Sequence, residues 1–305
     1  MKVQTRIQNM PAPNLASPGG ASTPTARRSP FVSVVSVTLN CREDALLTAK
    51  SVWAQEGVDY EYIVKDGGSR DGTPEAIKRA GPAEIRVAPD NGIYDAMNQA
   101  LSSCTGDYIL FLNAGDRLAG PNALRLVAST AREHASPEVI YTHCFNELLQ
   151  CEMRAPATLT KFFLYRRPVC HQATYLRREC YYRSGGFDLS VPVVADHELL
   201  VRLVCGHAAR AVLCPYVTAI YQDGGYTTMP RNVLLANEGR RRIRSLHYSS
   251  RERFLFGLLL VFTFHRLRAR LFKPNQKGIG GRIYQRLASP QSAQNIDRYF
   301  GKPTP

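Results

Sequence analysis

Short apolar runs rich in β-branched and aromatic residues alternate with longer amphipathic segments as far as about residue 118. Such runs predict buried strands, and the segments between them predict helices. The predicted strands are 31–39, 60–65, 84–88 and 107–112, and the predicted helices are 43–57, 93–104 and one that opens at Thr73-Pro74. Strands and helices alternating at this spacing form right-handed βαβ units, so we expect an α/β fold with a mostly parallel central sheet.

The ends and inner faces of these helices follow from single residues. Thr73 is the expected N-cap of its helix, with Pro74 in the first turn and with Asp71 and Gly72 building the turn before it. The stripe expected to face the core in helix 43–57 consists of Leu46, Leu47, Val52 and Trp53.

After Asp116 the regular alternation ends. The predicted helices are 121–134, 158–166 and 195–205, and the predicted strands are two within 138–153 and one each at 171–177 and 210–214. The core stripe expected for helix 195–205 consists of Leu199, Leu200, Leu203 and Val204. This mixed half would form the second wall of a cleft over the sheet.

The net charge of +14 on the 305 residues is concentrated in one segment. Residues 231–286 contain fourteen Lys and Arg against two Glu, a net charge of +12, whereas the rest of the chain is nearly neutral. We therefore expect a domain at 30–230, with halves 30–118 and 119–230, and a separate basic extension at 231–287. The Pro-, Ser- and Gly-rich start and the polar end predict disordered tails, at 1–29 and 288–305.

The basic extension contains the apolar run FLFGLLLVFTFH at 254–265, with arginines on both sides. This run is about half as long as the roughly 20 residues that a membrane-spanning helix needs. Flanking arginines, together with RRRIR at 240–244, favour a helix that lies on an anionic membrane surface. The alternative is a helix in the core or in the interface of a homo-oligomer. Nucleic acid is a poor fit, because no groove-reading motif accompanies the charge.

The cysteines are scattered without a CxxC pair, which predicts reduced core thiols rather than a zinc site or a disulfide framework. They occur at positions 41, 104, 144, 151, 170, 180, 205 and 214. Reduced thiols and the lack of an apolar leader favour the cytoplasm. Together with the basic extension, they predict a peripheral protein on the inner face of the cell membrane.

Two predicted strands end in acidic, glycine-rich turns, in YEYIVKDGGSRDGT at 60–73 and in GDYILFLNAGDRL at 106–118. In an open parallel sheet, ligands bind outside the carboxyl ends of the strands, so Asp66 and Asp116 would share one crevice. One carboxylate can accept hydrogen bonds from a base or ribose, and the other can hold a divalent cation against a pyrophosphate. The crevice therefore suits a sugar nucleotide.

Five stretches between about Phe31 and Thr228 resemble, in order and spacing, family 2 glycosyltransferases, which have the GT-A fold. They are VSVVSVTLNCRED, KDGGSRDGT, APDNGIYDAMNQALSSCTGDYILFLNAGD, HQATYLRRECYYRSGGFD and VADHELLVRL. The DGGSRDGT and DNGIYDAMN segments are most similar to bacterial exopolysaccharide transferases of the colanic-acid type. The resemblance implies inverting transfer of a sugar, expected to be UDP-linked, to a glycan or polyprenyl-linked acceptor in cell-surface polysaccharide synthesis.

The resemblance also implies donor contacts at the ends of the first two strands. Thr38 and Asn40 belong to the turn after the first strand, and Asp66 would contact the nucleotide base. Gly67 stands where family members carry a second acidic residue, which is a departure from the family pattern. The alternative role of Asp66 is to cap the DGGS turn.

Further donor contacts are implied for the loop and helix after the third strand. Asn91 lies in the DNG turn, and Asn98 shares a helix face with Asp95, three residues earlier. The loop with Asn91 would lie beside the nucleotide, and Asn98 would help bind the donor sugar or ribose. The alternative is a solvated helix face.

Asn113, Ala114, Gly115 and Asp116 occupy the place of the Asp-x-Asp metal motif, and only the last carboxylate is present. Mg²⁺ or Mn²⁺ takes one or two protein carboxylates and fills its other positions with phosphate oxygens and waters. Asp116 is therefore the expected metal ligand, and the three preceding residues are expected to contact the donor.

Asp196 matches the position of the catalytic base in the resembling enzymes, where a carboxylate removes the proton of the acceptor hydroxyl. The alternatives are that Asp196 is an N-cap and that Glu198 is the base. His197 is expected to be structural or to touch the acceptor. The GGFD turn at 185–188, His171-Gln172 and the loop 221–228 would shape the rest of the pocket.

Two other classes remain open at this point. The missing Asp-x-Asp partner allows a catalytically inactive GT-A module that binds or scaffolds. A nucleotidyltransferase is less favoured, because no Gly-rich phosphate loop with a following Lys comes after the first strand.

Overall fold

The computed structural model describes residues 31–191, 193–222 and 230–262. Nine strands in these residues form one sheet in the order β3-β2-β1-β4-β8-β6-β9-β5, and β7 pairs with β6. The first half contains β1 (Val32–Thr38), α1 (Arg42–Trp53), β2 (Tyr60–Asp66), α2 (Thr73–Ala80), β3 (Glu84–Val87), α3 (Ile93–Ala100) and β4 (Tyr108–Phe111). Its four strands are all parallel, which confirms the predicted βαβ units. All seven residues of β1 are buried, as expected for a strand between two parallel neighbours.

The second half extends the sheet with antiparallel pairs and one parallel pair, β6 with β9. Its elements are β5 (Arg117–Leu118), α4 (Ala123–Glu133), β6 (Val139–Asn146), β7 (Cys151–Met153), α5 (Lys161–Arg166), β8 (Thr174–Arg177), α6 (Arg178–Ser184), α7 (Ala195–Val201) and β9 (Ala211–Tyr221). The α/β fold class predicted from the sequence is confirmed.

Two helices, α8 (Pro230–His247) and α9 (Ser250–Phe262), follow β9. Ala236, Ile243 and Tyr248 of this region are buried in the core cluster that also contains the leucines of α7. Ser249 and Glu252 form a reciprocal cap at the start of α9, with the Glu252 carboxylate accepting from the Ser249 N–H at 2.8 Å. The basic extension is therefore packed on the domain through α8.

The carboxyl ends of β1, β2 and β4 lie at one edge of the sheet. Since β8 runs antiparallel to β4, the residues before β8 lie at the same edge. The strand β9 ends there too, because it is parallel to β6 and β6 is antiparallel to β8. Five separate segments of the chain thus meet at one edge.

Three details of the sequence prediction are wrong. In α1 the buried residues are Ala45, Thr48, Ala49 and Val52, whereas Leu47 is exposed, so the core takes the small residues and the helix lies close to the sheet. Thr73 is the first residue of α2 rather than its N-cap, which is Gly72. The strand predicted at 210–214 continues to Tyr221, because a register shift in its pairing with β6 accommodates Pro215.

Among the described residues, no helix is long and apolar enough to cross a membrane. No disulfide joins any of the eight cysteines, all of which lie in described segments, although the thiols of Cys144 and Cys170 are 2.8 Å apart. The predicted tails at 1–29 and 288–305, the end of the basic extension from residue 263 and most of the loop 221–228 lie outside the described residues.

Candidate functional site

Asp66, at the end of β2, is fully buried and organises the DGGS turn. One carboxylate oxygen accepts from the N–H groups of Gly68 and Ser69, at 2.9 and 2.6 Å. The other accepts from the hydroxyls of Thr38 and Ser69, at 2.8 and 2.6 Å. The carboxylate thus fills the turn-capping role weighed as the alternative. Its contact with a nucleotide base stays a prediction.

The turn after β1 is joined to the DGGS turn by Asn40. The N–H of Asn40 donates to the Ser69 hydroxyl at 2.8 Å, and its side-chain oxygen accepts from the Arg70 N–H at 2.8 Å. Asn40 has a φ of 51°, in the left-handed region where asparagine is tolerated. Thr38 and Asn40 therefore fix the shape of the crevice floor at its β1–β2 side.

A buried ion pair lies beside Gly67, the position at which the family carries a second acid. Lys65 Nζ is 2.8 Å from the Asp90 carboxylate. A Cβ at Gly67 would come within 2.8 Å of that same carboxylate. The side chain of Asp90, from a different loop, thus occupies the space that a second acidic side chain would need.

The DNG turn and α3 hold two of the predicted donor contacts. Asn91 is exposed, and its N–H and side-chain amide both donate to the Asp95 carboxylate. The amide of Asn98 donates to the Phe187 carbonyl at 2.9 Å and accepts from the Phe187 N–H at 2.8 Å. Asn98 therefore holds the backbone of the GGFD turn, whereas Asn91 faces solvent.

The NAGD segment after β4 is fixed from α1. Thr48 donates its hydroxyl proton to the Asp116 carbonyl at 2.7 Å and accepts from the Gly115 N–H at 2.9 Å. Ala114 is partly buried against the core on that side. Gly115 has a φ of 95°, and a Cβ there would collide with the side-chain oxygen of Gln222. Glycine is therefore favoured at this position by the backbone conformation, and a Cβ would also displace the Gln222 side chain.

The carboxylate of Asp116 is held by two glutamines. One oxygen accepts from the Gln172 side-chain amide at 3.0 Å, and the other from the Gln222 N–H at 3.0 Å. Burial raises the pKa of Asp116, against the opposing effects of the nearby His171 and of these two hydrogen bonds. A buried carboxylate of this kind gains from a cation that favours its ionised form.

The described residues contain no group of three or more His, Cys, Asp or Glu that could enclose a metal. However, Asn113 Oδ1 is buried without a hydrogen-bond partner, in the same motif as the Asp116 carboxylate. Oxygen atoms are the ligands that Mg²⁺ and Mn²⁺ prefer, and phosphate oxygens complete their coordination when the protein offers few. These residues fit a divalent cation that arrives with a diphosphate.

Asp196 lies in the first turn of α7, and its carboxylate points toward α3 and the start of β8. One oxygen accepts from the Tyr94 hydroxyl at 2.8 Å, and the other is 3.3 Å from His171 Nδ1. The N-cap of α7 is Val194, so Asp196 is not the cap that the alternative assumed. Its side chain keeps 21% of its surface exposed, which leaves the carboxylate accessible to a ligand.

His171 links Asp196 to the NAGD segment, because its Nε2 is 3.3 Å from the side-chain nitrogen of Asn113. Burial lowers the pKa of His171, but the hydrogen bond and charge of Asp196, with help from Asp116, outweigh it and raise the pKa overall. Burial raises the pKa of Asp196, but His171 and the Tyr94 hydroxyl outweigh it and hold the pKa below its usual value. Asp196 is therefore ionised at neutral pH.

The two neighbours of Asp196 on α7 are placed differently. Glu198 is buried in ion pairs with Arg202 at 2.9 Å and with His247 at 2.7 Å, so it does not face the crevice as the alternative base would. His197 is only 6% exposed, and its Nδ1 has no hydrogen-bond partner. Burial first, and then the charges of Arg240 and Arg244, lower its pKa to about 4.

Several contacts of the site were not predicted from the sequence. Tyr94 and Gln222 contact the two key carboxylates, and Asp90 fills the space beside Gly67. Tyr94 follows the DNG turn, so its place next to that motif was a usable signal. Gln222 belongs to the loop 221–228 that was expected to shape the pocket, but its contact with Asp116 depends on the pairing of β9 in the sheet.

Sequence comparison agrees with this geometry. Glycosyl transferase family 2 matches residues 33–146. An uncharacterized glycosyltransferase of Mycobacterium tuberculosis is 32% identical over 199 residues, covering 62% of this chain and 76% of that protein. A PGL/p-HBAD biosynthesis glycosyltransferase of Mycobacterium bovis is 29% identical over 202 residues, covering 65% and 78%.

Solved structures show the same fold at low sequence identity. TarS of S. aureus in complex with UDP superposes with a TM-score of 0.56 at 14% identity, covering 79% of this chain and 75% of that one. The mannosyltransferase PcManGT of Pyrobaculum calidifontis, in complex with GDP-Man and Mn²⁺, gives a TM-score of 0.52 at 18% identity, with 88% of each chain covered. The chain therefore belongs to glycosyl transferase family 2 and is a glycosyltransferase with the GT-A fold.

Proposed function

We propose that the protein transfers a sugar, with inversion, from a UDP-sugar to a hydroxyl of a glycan or lipid-linked acceptor in cell-surface polysaccharide synthesis. The observation that carries this proposal is the placement of Asp116 and Asp196 at one edge of the sheet. The contacts of His171 and Asn113 connect the two regions. A carboxylate suited to a diphosphate and a carboxylate suited to a hydroxyl are the two groups that the reaction needs.

Asp196 acts as the base in this proposal. Its carboxylate takes the proton of the acceptor hydroxyl while the acceptor oxygen forms a bond to the anomeric carbon from the face opposite the leaving group. The bond between the anomeric carbon and the diphosphate oxygen breaks, and its electron pair leaves with the nucleoside diphosphate. The hydrogen bond from Tyr94 and the contact with His171 orient the carboxylate for this step.

Asp116 would hold Mg²⁺ or Mn²⁺, with Asn113 Oδ1 as a further oxygen donor. The bound cation would neutralise charge on the departing diphosphate. Gln172 and Gln222 keep the Asp116 carboxylate in place, and Thr48 keeps the backbone of the motif in place.

The donor class is supported by what similar proteins bind, namely UDP and UDP-GlcNAc in TarS and GDP-Man with Mn²⁺ in PcManGT. A role in cell-surface glycan synthesis is supported by the relatives named for PGL/p-HBAD biosynthesis. For the donor contacts we propose Thr38, Asn40, Asp66, Asn91 and Asn98 around the nucleotide and sugar, together with Asn113, Ala114 and Gly115 around the diphosphate.

We also propose that the protein acts at the inner face of the cell membrane. Helix α9 exposes Phe254, Leu255, Leu258 and Val261 to solvent, and exposed Arg251 precedes them. Apolar side chains beside basic ones suit the boundary between anionic headgroups and acyl chains. A lipid-linked acceptor would then be presented on the same surface.

Thermal unfolding of the purified protein with UDP-, GDP- and dTDP-sugars, with and without Mn²⁺, tests the proposal. A specific donor stabilises the folded state by mass action, so we expect one nucleotide to raise the Tm and Mn²⁺ to enlarge the shift. If GDP- or dTDP-sugars alone raised the Tm, the UDP assignment would be wrong. If no donor raised it, the proposed donor site would be wrong.

A further inference from the structure

A small groove lies on the side of α7 away from Asp196. Its walls are α5, the residues that follow α5, and α8. Its free volume is about 10 Å³, which is room for one group of the size of a water or a phosphate oxygen, and His197 forms part of its wall. His197 also lines the apolar cavity that contains Asp196 and His171. One side chain therefore separates this groove from the cavity that holds the proposed base.

Four arginines line the groove, namely Arg166, Arg167, Arg240 and Arg244. None of them forms an ion pair with a carboxylate of the described residues, and no acidic residue is among those that line the groove. They contact aromatic rings, the Tyr165 carbonyl and the side-chain oxygen of Asn237. Four positive charges thus converge without a counter-charge from the protein.

Two buried polar atoms on the same wall lack a partner. They are Nε of Arg166 and Nδ1 of His197. Buried polar atoms in folded proteins are almost always hydrogen-bonded, so the unpartnered Nε–H donor of Arg166 points to a ligand that accepts hydrogen bonds. Burial, followed by the charge of Arg166, lowers the pKa of Arg167, which is the effect expected where cations crowd one another.

We propose that this groove is a phosphate-binding subsite that holds a phosphate ester beside the catalytic helix α7. Guanidinium groups bind phosphate oxygens through paired hydrogen bonds. An anion bound between several guanidinium groups also offsets the repulsion between them. The ester has two sources on a membrane, the phosphate or diphosphate of a lipid-linked acceptor and the headgroup of a phospholipid. The proposal rests on the proposed function for its connection to catalysis, but binding in the groove can be measured without turnover.

In the acceptor case the groove would act as an anchor. An acceptor held by its phosphate in the groove would be separated from the cavity that contains Asp196 by the side chain of His197, and its sugar would extend past that side chain toward the carboxylate. Arg244 would be the fixed part of the anchor, because it already stacks on Tyr165 and donates to the Tyr165 carbonyl at 3.1 Å.

The test compares Arg166→Gln/Arg240→Gln with Arg241→Gln/Arg242→Gln in the full-length protein. Both double variants remove two positive charges, but Arg241 and Arg242 are exposed on α8 and do not line the groove. The probe is geranyl diphosphate, titrated calorimetrically in the presence of EDTA and saturating UDP so that the donor site does not contribute. We expect the groove variant to bind the probe about tenfold more weakly or worse, and the control variant to bind as the wild type does.

A second arm uses vesicles that contain phosphatidylglycerol. Loss of geranyl diphosphate binding with retained vesicle binding assigns the groove to the acceptor, and parallel loss of both assigns it to phospholipid headgroups. Equal probe binding by the two variants overturns the proposal. Circular dichroism verifies folding, and Arg240→Gln alone replaces the double variant if that variant does not fold. UDP-sugar binding with Mn²⁺, measured in parallel, separates a failure of this proposal from a failure of the donor site.

Discussion

Nδ1 of His171 lies 3.3 Å from the carboxylate of Asp196, and Nε2 of the same ring lies 3.3 Å from the side-chain nitrogen of Asn113. One imidazole thus bridges the helix that carries the proposed base and the segment in which the family's metal motif would lie. Since the contact with Asp196 favours the carboxylate, the base is ready to accept a proton at neutral pH.

Asp196→Asn should abolish transfer and keep donor binding. The amide has nearly the same shape as the carboxylate, but it cannot accept the proton of the acceptor hydroxyl. We expect turnover to fall by roughly 10²-fold or more, while the Tm shift with a donor and Mn²⁺ stays as in the wild type. Glu198→Gln is not the matching control, because Glu198 holds two buried ion pairs; Asp59→Asn, an exposed carboxylate before β2 at the opposite edge of the sheet, serves instead. Near-wild-type turnover of Asp196→Asn would show that Asp196 is not the base.

His171→Asn should move the acidic limb of the pH profile of kcat/KM to higher pH. His171 lowers the pKa of Asp196, so its removal lets that pKa rise, and a higher pH is then needed to ionise the base. A hydrogen bond to a charged group contributes about 1.5–3 kcal/mol, which corresponds to a shift of roughly one to two pH units. The groups that face Asp196 are His171 and Tyr94, with His197 next to it on α7.

Tyr94→Phe provides the comparison for that shift. It removes the other hydrogen bond to Asp196 and leaves His171 in place, so it should move the acidic limb in the same direction. An unchanged limb in both variants would mean that the profile reports another group. A fall in kcat without any shift would indicate that His171 acts only as structural support.

Gly115→Ala should weaken donor binding more than Gly68→Ala does. Both glycines have positive φ, of 95° and 97°, so both substitutions strain the backbone by about 1–2 kcal/mol. Only at Gly115 must the new Cβ also displace a side chain, that of Gln222, whose backbone N–H holds Asp116; at Gly68 the space is open. Calorimetric titration of a UDP-sugar with Mn²⁺ measures the difference. Equal losses in the two variants would mean that backbone strain alone is responsible.

Phe254→Ser/Val261→Ser should release the protein from anionic vesicles. Phe254 and Val261 on α9 are 70% and 71% exposed. Losing two insertable side chains should weaken vesicle binding roughly tenfold or more. Leu148→Ser is the control, since Leu148 is 65% exposed on the domain itself. Sedimentation with phosphatidylglycerol vesicles measures this, and unchanged binding would contradict the membrane proposal. Deleting the chain from residue 240 is a poorer test, because Ile243 and Tyr248 are buried in the core.

The βαβ half of the fold was predictable because its signals are local. The strands β1, β2 and β4 are largely apolar runs, and the turns after β2 and β4 contain Gly and Asp residues that are visible in the sequence. The strand β9 was cut short in the prediction because Pro215 ordinarily ends a strand, and only the register shift against β6 accommodates it.

The carboxylates of the candidate site were predictable from the sequence, but their hydrogen-bond partners were not. Asp66, Asp116 and Asp196 stand in recognisable motifs. The contacts of Gln172 and Gln222 with Asp116 depend on strand order, which periodicity does not determine. The sequence also did not show that Asp66 accepts four hydrogen bonds from its own turn and from Thr38. An aspartate at this position suits both contact with a nucleotide base and capping of the DGGS turn, so its identity does not distinguish the two roles.

The hydrogen bonds to the Asp116 carboxylate affect how the protein folds as it is synthesised. Its carboxylate is bound by residues 56 and 106 positions further along the chain. A nascent chain on the ribosome can complete its first parallel strands early, yet it cannot assemble this site until residue 222 has emerged and β9 has paired. Such long-range closure is slow compared with local folding. Donor binding therefore appears late, and it can serve as a reporter that the whole sheet has been completed.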